Sequence, residues 1–141
     1  MSTFDFKNLL QLRKFYDRCL SERIGSNLNV GFAPFAEILY TQSVRTQQEL
    51  SDLALCNKAH TSRMLFKMQL KGLVKISTLS KNSAITLTKK GEDFAKICVE
   101  TREEVKQKLL ANINKKDLEV FTKVFNQIAA NAQVVETEKK E

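Results

Sequence analysis

Helix-breaking residues are scarce in this sequence, and that scarcity limits the folds that the chain can adopt. Its 141 residues include one proline and four glycines. These two residue types are the strongest local interrupters of helices and strands. The sequence therefore favours long helices over a many-stranded sandwich, in one domain with or without an extension.

Composition and the N-terminal segment exclude several classes of protein. Hydrophobic residues make up 43% of the chain and charged residues 28%, which is typical of folded rather than disordered proteins. No apolar stretch is long enough to cross a bilayer, and the first ten residues lack the basic, apolar and small regions of a signal peptide. We therefore expect a soluble cytoplasmic protein with no membrane partner.

The residues that carry most enzyme chemistry are few and scattered. Cys19, Cys56 and Cys98 are far apart and odd in number, so they predict reduced thiols rather than a disulfide framework or a zinc site. His60 is the only histidine, and the glycines form neither a dinucleotide-binding motif nor a P-loop. We expect no cofactor, no metal site and no enzymatic activity.

The positive charge of the chain is concentrated in one segment. Between Asp52 and Glu92 there are eight basic residues and no acidic one, whereas the rest of the chain has 15 basic and 16 acidic residues. The net charge of +7 therefore arises within these 39 residues. Such a focused field favours a polyanionic partner, although a purely solubilising surface is the alternative.

Capping residues and apolar periodicity predict the order of the elements. Helices are expected at about 3–24, 32–42, 58–71 and 89–112, with a two-turn helix after Thr46 and a last helix after Asn114. The first would begin with a capping box of Ser2 and Asp5. Strands at 73–79 and 84–87 form a hairpin around a polar turn. Residues 136–141 are expected to form a frayed polar tail.

The helix at 58–71 has two different sides. One side carries Thr61, Met64, Leu65 and Met68, and the other carries Lys58, Ala59, Ser62 and Phe66, flanked by His60, Arg63 and Lys67. A helix fits the major groove of B-DNA, and a basic hairpin beside it can reach the adjacent minor groove. The order of helix, turn, helix and hairpin therefore predicts a DNA-binding unit.

Four segments in this order resemble a known family: 46–50 (TQQEL), 57–65 (NKAHTSRML), 71–74 (KGLV) and 87–91 (LTKKG). Their order and spacing are similar to those of the MarR family of winged helix-turn-helix transcriptional regulators. The resemblance implies a mainly α fold with a small β-hairpin wing. In that fold, residues 31–111 form the winged helix-turn-helix with a connecting long helix, and residues 1–30 and 112–135 form the helical dimerisation region.

The resemblance also implies a function. MarR-like proteins are homodimers that insert a recognition helix, here 58–71, into successive major grooves of a pseudopalindromic operator on double-stranded DNA. Many are repressors that a small aromatic effector or thiol oxidation releases. The implied function is therefore a dimeric, sequence-specific transcriptional regulator, most often a repressor.

Candidate DNA-binding residues follow from this placement and from side-chain chemistry: Thr46, Gln47, Lys58, Ala59, His60, Ser62, Arg63, Lys67, Lys81 and Asn82. Arg63 can bond a guanine or neutralise a phosphate. His60 can equally be solvated, Lys67 can be ordinary surface charge, and helix capping alone explains Thr46.

The wing departs from the family pattern. The family commonly has an Asp-x-Arg element there, whereas residues 78–84 contain Lys81 as their only charge. Lysine lacks the planar guanidinium that recognises a narrow minor groove well. The altered wing and Phe66 on the outer side of the helix leave an alternative function open, which is a winged-helix module that binds an acidic protein partner.

Two further sets of candidate residues concern regulation. Tyr16, Phe35 and Tyr40 can line a ligand pocket between the dimerisation and DNA-binding regions, although aromatic residues at helical spacing are more often core residues. Cys56 precedes the recognition helix, so its oxidation can displace that helix, and Lys58 nearby can lower the thiol pKa. A buried structural thiol is the alternative for Cys56.

Overall fold

The structure is a computed structural model that describes residues 4–78 and 83–140, with side chains as far as residue 134. Within these ranges the helices are α1 (Phe6–Ile24), α2 (Ala33–Thr41), α3 (Gln47–Ala54), α4 (Lys58–Leu70), α5 (Lys89–Leu109) and α6 (Lys115–Lys140). A single 3-10 turn, Val30–Phe32, precedes α2, and the strands are β1 (Val74–Ser77) and β2 (Ala84–Leu87). The fold is mainly α with a small hairpin, as the sequence predicts.

The boundaries of α3 and α4 are set by the caps that the sequence indicates. The Thr46 hydroxyl accepts a hydrogen bond from the Glu49 N–H at 3.1 Å, and the Asn57 side chain accepts one from the His60 N–H at 2.8 Å. Gly72 has φ +74°, the left-handed conformation that ends a helix at little cost. These local bonds satisfy backbone groups that a helix end otherwise leaves unpaired.

The predicted start of the first helix is wrong by about three residues. Asp5 is itself the N-cap, because its carboxylate accepts a hydrogen bond from the Lys7 N–H at 2.9 Å. The helix therefore begins at Phe6, and Ser2 of the predicted capping box lies outside the described residues.

The predicted ends of the last two helices are also corrected. The fifth helix stops at Leu109, three residues early, and Asn112 adopts a left-handed φ of +64° in the turn that follows. The sixth helix continues to Lys140 instead of fraying from residue 136. No glycine or proline interrupts the chain after Leu109, so nothing local ends α6.

The core of the helix-turn-helix region includes the second half of α1. Leu20 is fully buried, and Tyr16 and Ile24 pack partly against the same cluster. The other large members come from the 3-10 turn, α2 to α5 and the hairpin: Phe32, Phe35, Leu39, Leu50, Leu65, Met68, Leu73, Val74, Ile85 and Phe94.

The hairpin is antiparallel and pairs Val74 with Leu87 at its open end and Ser77 with Ala84 nearer the turn. A third segment extends it by one residue, because the Ile85 N–H donates a hydrogen bond to the Val44 carbonyl at 3.0 Å. This bridge ties the hairpin to the segment between α2 and α3.

Contacts divide the chain into two compact units, the first ending at Lys106 and the second beginning at Gln107. The first unit holds α1 to α4, the hairpin and most of α5. The second holds the end of α5 and all of α6.

The turn between α3 and α4 carries a strained residue that gives a stability prediction. Leu55 has φ +56° and ψ +38°, and its side chain is 86% exposed. A left-handed conformation costs a residue with a side chain about 1–2 kcal/mol, and glycine avoids this cost. Glycine is also more flexible in the unfolded state, so part of the gain in stability is lost. We expect Leu55→Gly to raise the free energy of unfolding by about 0.5–1 kcal/mol in urea titrations.

The matched control is Leu53→Gly, which removes an exposed leucine from the right-handed backbone of α3. This change should lower the free energy of unfolding by about 1 kcal/mol, because glycine is a poor helix former. If both variants lost stability equally, the strain at Leu55 would be refuted.

Candidate nucleic-acid interface

The two sides of α4 differ as the sequence predicts. Thr61, Leu65 and Met68 are buried against the core, and the Thr61 hydroxyl donates to the Asn57 carbonyl at 3.0 Å. The opposite side is solvent-exposed and carries half of the candidate DNA-binding residues: Lys58, Ala59, Ser62, Arg63 and Lys67. The buried side fixes the rotation of the helix, so these side chains face outward together.

The other candidate residues occupy different positions. Thr46 and Gln47 are exposed at the N-terminus of α3, where Thr46 acts as the cap. His60 is half-buried, and its ring centroid lies 6.0 Å from that of Phe35, a core residue. His60 therefore faces α2 instead of sharing the outer face of α4. Lys81 and Asn82 lie outside the described residues.

The C-terminal end of α4 is held by the start of α5. Three consecutive carbonyl groups accept hydrogen bonds: Lys71 from the Lys90 ammonium at 2.8 Å, Gly72 from the Thr88 hydroxyl, and Leu73 from the Thr88 N–H at 3.0 Å. The Thr88 hydroxyl also accepts a bond from the helix it caps. These hydrogen bonds position α4 relative to the core.

The described basic residues between Asp52 and Glu92 differ in what they contact. Lys90 binds a carbonyl, and Lys89 forms an ion pair with Asp93 at 2.9 Å. By contrast, Lys58, Arg63 and Lys67 on α4 make no ion pair with any residue in the described part of the chain. The outer face of α4 therefore carries positive charge that no ion pair among the described residues neutralises.

Two apolar side chains share this charged face. Phe66 is 62% exposed and Leu70, one turn further along, is 71% exposed. Neither contributes to the core cluster.

No protein-family model matches the sequence, and no curated protein matches it. Solved structures do match. A MarR transcriptional regulator from Methanosarcina mazei Go1 superposes with a TM-score of 0.77 at 20% identity, covering 92% of this chain and 96% of that one. The chain has the MarR fold.

Two further structures show what proteins of this fold bind. A putative MarR family regulator from Listeria monocytogenes, complexed with 26mer DNA, matches at TM-score 0.75 and 15% identity over 92% of this chain and 89% of its own. The Bordetella bronchiseptica protein BpsR, whose DNA binding is regulated by 6-hydroxynicotinic acid, matches at TM-score 0.70 and 13% identity over 91% and 99%.

The three aromatic residues suggested for a ligand pocket differ in burial and position in this MarR fold. Phe35 is completely buried in the core. Tyr40 lines a surface cleft of about 370 Å³ between the end of α2 and β2, which Arg45 and Glu92 also line. Tyr16 does not line that cleft and instead packs partly against the core from α1.

Tyr16 belongs to a polar cluster between α1, α2 and α5. Its hydroxyl is buried and has no hydrogen-bond partner among the described residues. Burial, followed by the charge of Glu37, raises the pKa of Tyr16 and raises that of the Cys98 thiol to about 12. Burial also raises the pKa of Glu37, against the effect of Arg102, whose Nη1 lies 2.8 Å from the carboxylate. Cys98 is therefore a protonated thiol at neutral pH, a poor redox sensor.

Cys56 is half-buried in the turn before α4, and its sulfur lies 3.4 Å from the Ala54 carbonyl oxygen, to which the thiol donates.

The described residues bring together no group of three His, Cys, Asp or Glu side chains that could hold a metal ion. No helix within the described ranges is long and apolar enough to span a membrane.

Proposed function

We propose that this protein is a dimeric, sequence-specific transcriptional regulator that binds duplex DNA through the outer face of α4. The observation that carries this proposal is the positive charge on the outer face of α4. There Ser62, Arg63 and Lys67 are exposed in a segment without acidic residues. Basic side chains that release counterions from phosphates supply most of the affinity for DNA, and exposed polar side chains on a helix read base edges.

Each exposed side chain has a stated part in the proposed complex. Arg63 bonds a guanine edge or a phosphate, Ser62 lies beside it as a small donor, and Lys58 and Lys67 contact phosphates. Thr46 contributes a phosphate contact at the start of α3. The complex of the Listeria monocytogenes protein with 26mer DNA supports this use of the fold.

The proposed dimer rests on apolar surface that a single chain leaves uncovered. In the second unit, Phe121 is 55% exposed and Phe125 36% exposed, with their rings stacked at 5.3 Å. In the first unit, Phe6 is 73% exposed and Leu10 56% exposed on the first half of α1. A dimer that buries these faces presents two copies of α4 to half-sites about 10 bp apart.

Regulation of this DNA binding is also part of the proposal. We infer repression that a small aromatic effector relieves, with Tyr16 and its unpartnered hydroxyl or Tyr40 in its cleft as the contact. BpsR, whose DNA binding responds to 6-hydroxynicotinic acid, supports an effector of this class. Oxidation of Cys56 in the turn before α4 is a second route to release.

A second function is favoured by one observation. Phe66 and Leu70 expose apolar surface on the same face as the basic residues. An acidic protein partner with apolar anchors matches such a face, and the winged helix would then act as a protein-interaction module.

The test of the leading function uses Arg63. Selection from a random duplex library should yield an inverted repeat whose binding weakens as salt rises. Arg63→Ala should lower affinity for that duplex by at least about tenfold, because each protomer loses one guanine or phosphate contact. Fluorescence anisotropy at two salt concentrations measures both effects.

The matched control is Arg13→Ala, which removes the same charge from an exposed arginine of α1 that pairs with Asp17 at 3.1 Å. Its affinity for the selected duplex should stay within about twofold of the unchanged protein. A folded dimer that binds no duplex at low salt would overturn the proposed function and favour the protein partner.

A further inference from the structure

Phe66 occupies the centre of the outer face of α4. At about 3.6 residues per turn, it lies opposite the buried side formed by Thr61, Leu65 and Met68. Ser62 lies on one side of it and Arg63 on the other. A partner that contacts these two polar side chains must therefore also cover the phenyl ring.

The fold gives Phe66 no packing role. The ring is 62% exposed, lies outside the core cluster and has no aromatic partner within the described part of the chain. Its neighbours on the helix, Arg63 and Lys67, carry positive charge without a compensating acid. A partner that matches this face is therefore polyanionic and offers an apolar group at the centre of the contact.

Duplex DNA meets both conditions. Its phosphates surround the major groove, and the C5-methyl group of thymine is the apolar feature of the base edges within that groove. We propose that Phe66 contacts a thymine methyl group and makes this protein selective for thymine at that position of each half-site. This inference rests on the proposed function, since it assigns the specificity of the same DNA-binding face.

The spacing of the apolar side chains on the outer face of α4 suggests a contact with a second thymine. Ala59 lies almost in line with Phe66, two turns nearer the start of α4, and its small apolar side chain is also exposed. Seven residues correspond to about 10.5 Å along a helix. Because base pairs are stacked about 3.4 Å apart, the two side chains face positions at most about three base pairs apart, and fewer where α4 is inclined to the DNA axis. Arg63, between them, faces the intervening bases or their phosphates.

The experiment removes the methyl group without changing base pairing. Each thymine of the selected duplex is replaced in turn by deoxyuridine, symmetrically in both half-sites, and affinities are measured by anisotropy. For the unchanged protein, replacement of the thymine that faces Phe66 should weaken binding by about fourfold per half-site, the effect of one buried methyl group. Replacement at thymines that α4 does not contact should have no effect.

Variants of Phe66 assign the effect to its side chain. Phe66→Ala should bind the thymine and deoxyuridine duplexes equally, while Phe66→Leu should retain discrimination because it keeps an apolar contact. Arg63→Ala is the matched control, and it should weaken binding to both duplexes while leaving their ratio unchanged. Circular dichroism should show unchanged folding, because Phe66 is not a core residue.

The outcomes separate this inference from the function on which it depends. Binding to duplex DNA without methyl dependence at any thymine would overturn the role of Phe66 and leave the regulator function intact. Methyl dependence that persists in Phe66→Ala at every thymine where the unchanged protein shows it would also overturn that role. Failure to bind any duplex would overturn the proposed function and this inference together, and would leave the face to an acidic protein partner.

Discussion

Replacing Gly91 with alanine is expected to lower the free energy of unfolding by about 3 kcal/mol, although the same change inside a helix normally stabilises by about 1 kcal/mol. Gly91 is buried in the first turn of α5. A Cβ atom there would collide with the Leu73 carbonyl oxygen and would lie 3.1 Å from the Leu87 side chain. Backbone cannot move aside as a flexible side chain can, so one of the two segments must shift.

The cost is large because the Leu73 carbonyl is already engaged. It accepts the Thr88 N–H at 3.0 Å, beside the bonds that Lys90 and Thr88 make to the two preceding carbonyls. Pushing α5 away from Leu73 breaks this set of bonds and leaves buried backbone groups unpaired. The alanine variant should therefore also misplace the end of α4 and weaken the proposed DNA binding.

Urea unfolding followed by circular dichroism at one fixed protein concentration measures the effect. Gly72→Ala is the control, because Gly72 has φ +74° but open space where its Cβ would lie. That variant should lose only about 1 kcal/mol, the cost of backbone strain. Equal losses in the two variants would show that the contact with Leu73 is not the cause.

Local hydrogen bonds explain why the helix-turn-helix could be predicted from the sequence. The caps at Thr46 and Asn57 bond to groups three residues away, so a short stretch of sequence carries the whole signal. The turn at Gly72 likewise depends on the left-handed conformation of one residue, so a single glycine in the sequence indicates it. The hairpin strand at 84–87 follows from alternation between two polar segments, and the structure confirms its bounds.

Contacts between distant residues could not be predicted in the same way. The Val44 to Ile85 bridge joins residues 41 positions apart, and the bond from Lys90 to the Lys71 carbonyl joins residues 19 apart. The order of the residues in the sequence does not show that Ile85 bonds to Val44 or that Lys90 bonds to Lys71. The sequence predicts a helix from residue 89, and the family resemblance includes this segment, but neither shows that Lys90 and Gly91 meet the residues after α4.

The rotation of a side chain within a helix also limited the prediction of the site. His60 borders the outer face of α4 by sequence position, and only its contact with Phe35 shows that it turns inward. Phe35 and Tyr40 have similar helical surroundings in the sequence, yet the first is completely buried and the second is 40% exposed. Apolar periodicity identifies a face but does not show what covers it.

The apolar face of α6 gives the prediction with the largest effect on function. Phe121→Glu is expected to convert the proposed dimer to a monomer and to lower affinity for the selected duplex by at least about 100-fold, since a monomer loses the gain from two linked half-sites. Two-fold symmetry places the substitution in the interface twice, and each buried glutamate lacks a partner. Analytical ultracentrifugation and anisotropy on the same samples measure the two effects.

The sequence of α6 offers a matched control for this charge. Leu118, Phe121, Phe125 and Ile128 form one side of the helix at about 3.6 residues per turn, and Ala130 lies on the opposite side. Ala130→Glu adds the same charge to an exposed position and should leave both dimerisation and DNA affinity unchanged.

A Phe121→Glu protein that stays dimeric would show that this face is not the interface. A monomer that keeps full affinity would separate dimerisation from operator binding, because one α4 would then supply the whole contact. Loss of both properties, with the helical content of the first unit preserved, is the result that links the exposed apolar surface of α6 to the spacing of two recognition helices on DNA.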